Sequence, residues 1–310
     1  MIEKIIKTVI VTILLLFISV FPVDAQVIFQ KSSEIKFRIT DIQKENWVLI
    51  ICAGAKPNQT EGKAGAGPIR NTSKHVYETF KQLGYDDDHI YYLHDVNSSA
   101  EGADGIVSKI NIRYAIIEWL KINSDSNDNC CIIFNGHGGP GLISVWNNES
   151  EIAEFILFSE LAEWLDTLEY DLITIIIDSC FSGSLIRSLS KENRIVISST
   201  SPLSLCIALN ELVFSYHFFN KLVQNVSYGK AWEHADKQIA RINITKELFP
   251  NIEKISLKIR IKIILLMFLQ NPKIDDNGDK WGHGTLFANK LPFRGDGILA
   301  LETYPNKNFT

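Results

Sequence analysis

Residues Asp171–Leu185 read D-L-I-T-I-I-I-D-S-C-F-S-G-S-L. The first half is a short, nearly continuous apolar run, which is typical of a parallel strand that is covered on both faces. Cys180 follows this run among small residues, and ligands of open α/β sheets collect outside the carboxyl ends of strands. A lone cysteine beside an apolar run is otherwise most simply a buried core thiol. The stretch therefore predicts an α/β fold and leaves two interpretations of Cys180.

A second stretch, Cys130–Gly141, reads C-C-I-I-F-N-G-H-G-G-P-G and again ends an apolar run in a reactive side chain, His137. A histidine beside a thiol lowers the thiol pKa and later protonates the leaving amine. Glycines next to the histidine let a substrate carbonyl approach, so the N–H groups of Gly138 and Cys180 could hold an oxyanion. The apolar spacing of 158–168 predicts a crossover helix between the two strands.

The order of these motifs resembles the caspase–hemoglobinase group of cysteine peptidases. The fullest resemblance is to its legumain-like (asparaginyl endopeptidase, peptidase C13) members of prokaryotic type, over about residues 47–242. It implies a caspase-like three-layer α/β/α sandwich with a mostly parallel central sheet. It also implies a His137/Cys180 dyad, an oxyanion site at Gly138 and Cys180, and no cofactor. Metacaspases share D-S-C-x-S-G and are the alternative inside the group.

The H-G-G-P-G motif also resembles the oxyanion loop of α/β-hydrolase iminopeptidases. That fold needs a G-x-S-x-G nucleophile elbow, and the sequence contains none. We therefore set aside the interpretation of the chain as an α/β-hydrolase fold.

The resemblance also implies a substrate pocket. Family members carry an acid or amide two residues before the cysteine, where this chain has Asp178, and an acidic wall favours a basic or amide-bearing partner. We expect cleavage after Asn, or after Lys or Arg if the pocket is metacaspase-like. Asp178 could instead cap a helix or turn. The candidate substrate-binding residues are Asp178, Arg70, Asn71, Ser199, Cys206 and Glu211.

Some of these candidates have alternative interpretations. Arg70 and Asn71 could be ordinary residues at the start of a helix predicted over 72–83. Relatives carry Pro-x-Glu-Ser-Ser-Tyr or a similar run in the pocket loop, whereas this chain reads P-L-S-L-C-I from Pro202 to Ile207. Glu211 is shifted by one residue from the position of a second pocket acid.

The chain is predicted to contain four segments. Residues 1–25 have Lys4 and Lys7 before an uncharged apolar stretch and a small-residue cleavage site, which is typical of a secretory signal peptide. An uncleaved membrane anchor is the alternative, and either places the rest outside the cytoplasm. Residues 26–45 are a linker or short pro-segment, 46–245 the peptidase domain, and 246–310 an extension with a D-D-N-G-D segment.

The composition argues against a nucleic-acid partner and against a zinc site. A net charge of −5 without a basic stripe argues against nucleic-acid binding. The five cysteines form no C-x-x-C pattern, so no zinc site is expected. Asp275, Asn277 and Asp279 alternate as calcium-loop ligands do, but Lys280 and Leu286 do not fit an EF-hand, so a polar turn is the alternative.

The sequence therefore predicts a secreted or cell-surface cysteine endopeptidase that acts on protein or peptide substrates. A transamidase or peptide ligase would use the same dyad and acyl-enzyme. A catalytically silent peptide-binding protein, or a surface interaction protein, would keep the fold without turnover.

Overall fold

The structure of the chain is a computed structural model. It describes residues 44–54, 66–95, 100–147, 152–206, 213–241, 256, 270–284, 291–293 and 295–305. Contacts divide the chain into two units, residues 1–43 and 44–310, and all the described residues belong to the second. The predicted signal peptide and residues 26–43 of the predicted linker lie outside the described residues.

The described residues form nine strands. The strands that apolar runs predicted are longer than their neighbours. A strand that is buried on both faces needs apolar residues throughout, so it appears in the sequence as an apolar run. The strands are β1 Asn46–Ala53, β2 Ile90–His94, β3 Gly105–Ile106, β4 Asn129–Gly139, β5 Leu142–Val145, β6 Glu154–Leu157, β7 Leu172–Asp178, β8 Arg194–Ser198 and β9 Lys273–Asp275.

Seven strands form a row in the order β3-β2-β1-β4-β7-β8-β9, with the β5–β6 hairpin attached to β4. From β3 to β8 the neighbouring strands are parallel, and β9 pairs with β8 in the antiparallel direction. The described part of the predicted C-terminal extension thus supplies an edge strand of the same sheet.

Helices connect the parallel strands. Pro68 lies in the first turn of the first helix, where backbone N–H groups have no intrahelical acceptor, so a proline is tolerated. This helix therefore begins before residue 72, its predicted start. A π-helical turn, Ala115–Leu120, and a last turn, Lys121–Asn123, continue α2. The helices are α1 Ala66–Gln82, α2 Lys109–Tyr114, α3 Phe158–Leu165, α4 Ile186–Leu189, α5 Phe214–Leu222, α6 Tyr228–Arg241 and α7 Ile298–Glu302.

The sheet lies between two apolar cores. Alternate residues of β1 point to opposite faces, so Val48 and Ile50 pack in one core and Leu49 and Ile51 in the other. The first core includes buried side chains of α1, α5 and α6, and the second includes those of α2, α3 and α4. This confirms the predicted α/β class and the three-layer arrangement with a mostly parallel sheet.

Within the described residues, no helix is both long and apolar enough to cross a membrane.

Candidate active site

The carboxyl ends of β1, β4 and β7 meet at one edge of the sheet because these strands are parallel neighbours. The β4–β7 register pairs Asn135 with Asp178. His137 lies two residues beyond the first and Cys180 two residues beyond the second. The fold therefore brings the two predicted reactive side chains to the same edge of the sheet, His137 near the end of β4 and Cys180 in the loop after β7.

The position of His137 depends on the end of β1. Ala53 pairs with Gly136, and a Cβ at Gly136 would lie 2.6 Å from the Ala53 carbonyl oxygen, so no larger residue fits here. The Nε2 atom of His137 lies 3.1 Å from the carbonyl oxygen of Gly54. A carbonyl only accepts hydrogen bonds, so Nε2 carries the proton in this contact. The contact orients the imidazole ring.

The Cys180 loop packs directly on the residue after His137. A Cβ at Gly138 would lie 2.6 Å from Ser179 Oγ and 2.7 Å from the Cys180 carbonyl oxygen. Phe181, the residue after the thiol, has a φ angle of 59°, in the left-handed region that few non-glycine residues adopt. Its N–H donates to the Ser204 carbonyl oxygen at 2.8 Å, which holds the turn.

The Cys180 thiol is partly buried and lies against the pocket loop. The backbone N–H of Cys206 donates to Cys180 Sγ at 3.3 Å. Burial raises the pKa of the Cys180 thiol, and the nearby Asp178 carboxylate adds to the rise, while the Cys206 N–H opposes it. The thiol form is therefore favoured at neutral pH.

Residues 113–204 match the model of the peptidase C13 family. Over this segment the chain is similar to the peptidase C13 family. Its matched segment begins within α2, contains both His137 and Cys180, and ends in the loop after β8. This match supports a cysteine-type peptidase, whose substrates are proteins or peptides. No curated protein gives a significant match to the chain.

Three of the substrate-binding candidates lie together beneath the Cys180 loop. Asp178 is buried; one of its carboxylate oxygens accepts the N–H of Ser215 at 2.8 Å and the other contacts Cys206 Sγ at 3.0 Å. Ser215 lies in the first turn of α5, so Asp178 caps that helix from another element. Ser199 Oγ lies 3.7 Å from Cys206 Sγ. Burial raises the pKa of the Cys206 thiol well above its usual range, and Asp178 adds to the rise.

Arg70 and Asn71 lie inside α1 rather than before it. Arg70 donates from Nε to Asp95 Oδ1 at 2.8 Å, and the Asp95 side chain is fully buried. Asn71 is exposed on the helix surface. Arg70 is thus joined to the carboxyl end of β2, whereas the Asn71 side chain is exposed to solvent. The remaining candidate, Glu211, lies outside the described residues.

Buried hydroxyl groups hold the Cys180 loop to the end of β8. Ser182 Oγ lies 3.0 Å from Thr200 Oγ1 and accepts the Thr200 N–H at 3.2 Å. The Thr200 hydroxyl also donates to the Ser179 carbonyl oxygen at 3.3 Å. Buried polar groups that satisfy one another in this way rigidify their surroundings.

One cluster with metal-ligand chemistry lies at the end of β1 and β2, where Cys52, His94 and Asp95 are all buried. The Arg70 guanidinium already supplies a positive charge to Asp95, and burial raises the pKa of the Cys52 thiol strongly, with Asp95 as the second cause. Both facts disfavour a thiolate–metal bond there.

The predicted calcium candidates form a polar turn after β9. Asn277 Oδ1 accepts the Asp279 N–H at 2.9 Å, and Asp279 Oδ1 accepts the Trp281 N–H at 2.7 Å. Asp275 and Asp279 group with Asp296, a residue that the sequence pattern did not indicate, whereas Asn277 is not part of this group.

Sequence reasoning missed three residues of this region: Gly54, Asp95 and Asp296. Gly54 acts through its backbone carbonyl, which has no side-chain signature, although its place at the end of a predicted strand was a usable signal. Asp95 likewise follows a predicted strand, directly after His94. Asp296 carried no signal because its partners are distant in sequence.

Proposed function

We propose that this chain is a secreted endopeptidase in which Cys180 is the nucleophile and His137 the general base. The observation that carries the proposal is the β4–β7 register, which pairs Asn135 with Asp178 and so brings His137, near the end of β4, and Cys180, two residues after β7, to the same edge of the sheet. Thiol–imidazole pairs at such an edge are suited to nucleophilic catalysis.

The reaction begins with proton transfer from the Cys180 thiol. Because Nε2 of His137 donates to the Gly54 carbonyl, Nδ1 is the nitrogen that accepts this proton. Since the raised pKa keeps the thiol protonated at neutral pH, the base acts as Sγ attacks the peptide carbonyl carbon.

The tetrahedral intermediate carries a negative oxygen, which the N–H groups of Gly138 and Cys180 stabilise. The contact between Gly138 and the Cys180 backbone supports this pairing of donors. The intermediate collapses as the C–N bond breaks, and the imidazolium of His137 protonates the leaving amine. Water then attacks the thioester, with His137 again as base, and releases the acid and the free thiol.

For specificity we favour Asn over Lys or Arg before the cleaved bond. Both carboxylate oxygens of Asp178 are engaged, by Ser215 and Cys206, so its charge is poorly available to a cationic side chain.

Secretion rests on the N-terminal sequence, with Lys4 and Lys7 before the apolar stretch and Ala25 at a small-residue cleavage site. Edman sequencing of protein recovered from the medium is expected to begin at Gln26. Recovery only with the cell, with Met1 intact, would contradict secretion.

The nucleophile and the specificity are tested together by active-site labelling. Wild-type protein is treated with peptidyl acyloxymethyl ketones that end in Asn, Arg or Asp, and the labelled peptide is found by mass spectrometry. We expect labelling of Cys180 by the Asn probe, loss of labelling in Cys180→Ala and His137→Ala, and retention in Cys130→Ala, which removes a thiol within β4. Labelling that persists in Cys180→Ala would overturn the dyad, whereas labelling of Cys180 by the Arg probe alone would overturn only the specificity.

A further inference from the structure

Three carboxylates, one at the end of β9 and two beyond it, lie close enough to share one cation. Asp275, Asp279 and Asp296 each place a carboxylate oxygen within 4.8 Å of the other two. Oxygens bound to the same Ca²⁺ at 2.3–2.6 Å lie at most about 5 Å apart. The spacing of the cluster therefore matches a single calcium ion.

Burial gives an independent indication of a ligand. Asp275 and Asp296 are both 0% exposed. Asp275 Oδ1 accepts the Gly278 N–H at 3.2 Å, but Oδ2 is buried and has no hydrogen-bond partner among the described residues. An unpartnered buried carboxylate oxygen is destabilising unless a cation or donor meets it.

The rest of the cluster is held in place by the protein. Asp296 Oδ1 accepts the N–H of Asp276 at 3.2 Å, and Oδ2 contacts Nδ1 of His283. Asp279 is exposed, so the cluster is open to solvent on its side.

We propose that Asp275, Asp279 and Asp296 bind one Ca²⁺ ion. A set of carboxylate oxygens with room for water suits Ca²⁺, which takes six to eight oxygen ligands in flexible geometry. Mg²⁺ demands a tighter octahedron, and Zn²⁺ prefers nitrogen and sulfur ligands. The ligands differ from an EF-hand set because Asp296 arrives from beyond the loop, in place of Asn277.

The ion would stabilise a turn that adjoins the Cys180 loop. A cavity of about 410 Å³ lies between the two, with Asp279, Lys280 and Trp281 on one side and Gly183, Ser184 and Pro202 on the other. Lys280 N–H also donates to Ser190 Oγ at 3.0 Å. Calcium binding would therefore order one wall of this cavity, but the binding itself does not depend on the proposed dyad.

The test is calcium titration of the full chain after removal of divalent cations with EDTA and gel filtration. Calorimetry is expected to show one Ca²⁺ per chain, and the melting temperature is expected to rise by several degrees at saturation. Asp279→Asn is the main variant because its exposed side chain can change without unfolding the protein. We expect it to weaken calcium binding at least about tenfold and to reduce the thermal shift.

Asp88→Asn is the matched control, since it removes an exposed carboxylate outside the cluster. It is expected to bind calcium as the wild type does. Absence of binding to the wild type, equal binding by Asp279→Asn, or tighter binding of Mg²⁺ or Zn²⁺ than of Ca²⁺ would each overturn the proposal.

Discussion

Gly138 lies against the backbone of Cys180 so closely that a Cβ on the glycine would be 2.7 Å from the Cys180 carbonyl oxygen. Real Cβ atoms do not approach a backbone oxygen to this distance, so the end of β4 and the Cys180 loop would have to move apart. Gly138 thus sets the distance between the end of β4, which carries His137, and the Cys180 loop.

Substitution of this glycine tests that relationship. We expect Gly138→Ala to lower kcat/KM by roughly 100-fold or more, because it displaces both loops and one of the proposed oxyanion donors. The measurement is steady-state hydrolysis of a fluorogenic Asn substrate, with circular dichroism to verify folding.

Gly139→Ala is the control for Gly138→Ala. A Cβ at Gly139 would lie 3.4 Å from Leu142 Cδ1, which is an ordinary contact. We expect its activity to stay within a few-fold of the wild type. Equal losses in both variants would contradict the role given to Gly138.

The reactivity of Cys180 should depend on pH in a particular direction. Its pKa is raised by burial and by Asp178, so the thiolate forms only at alkaline pH in the free enzyme. We expect the rate of iodoacetamide alkylation at Cys180 to rise with pH and to reach its midpoint above that of N-acetylcysteine under the same conditions. A midpoint below that of the free thiol would instead indicate a thiolate–imidazolium pair at neutral pH.

The hydroxyl network beneath the Cys180 loop should contribute measurably to stability. Ser182→Ala leaves the buried Thr200 N–H without its acceptor, which costs roughly 1–3 kcal/mol. Urea denaturation gives the difference in the free energy of unfolding. Ser188→Ala, at an exposed position of α4, is expected to change this free energy by less than about 0.5 kcal/mol.

The stability of the protein should also depend on Asp236 in α6. Burial raises the pKa of Asp236 to about 7, although the nearby Lys273 opposes the rise. Because the pKa in the folded state exceeds that in the unfolded state, the stabilising contribution of the protonated acid is lost as pH rises from about 4 through about 7.

Asp236→Asn keeps this position neutral at every pH. We expect the variant to match the wild type near pH 4 and to be roughly 2–4 kcal/mol more stable near pH 8, measured by urea denaturation at both values. Asp88→Asn should show no such pH-dependent gain. A variant that is less stable than the wild type at pH 8 would indicate that the electrostatic attraction to Lys273 outweighs the cost of burial.

The sheet, and the placement of His137 and Cys180 at one edge of it, could be predicted from local sequence. A strand that is buried on both faces must be apolar at every position, so β1, β4 and β7 are visible as runs. Alternation of such runs with helical segments predicts a parallel sheet, and reactive residues directly after two of its strands meet at one edge.

The remaining features depend on contacts that no local pattern records. β9 joins β8 from far along the chain, and Asp296 meets Asp275 only because of that docking. The carboxylate of Asp178 points inward and caps α5. This orientation depends on where the helix packs. Gly54 contributes a backbone carbonyl, which every residue type carries.

The row of strands ends in very short members on both sides. β3 has two residues and β9 has three, whereas the central β4 has eleven. A long unpaired edge is a template for another chain, and short edges are one way in which natural sheets avoid it. Within the part of the chain that the structure describes, the two ends of this row therefore offer little backbone for strand addition, which limits edge-to-edge aggregation through them.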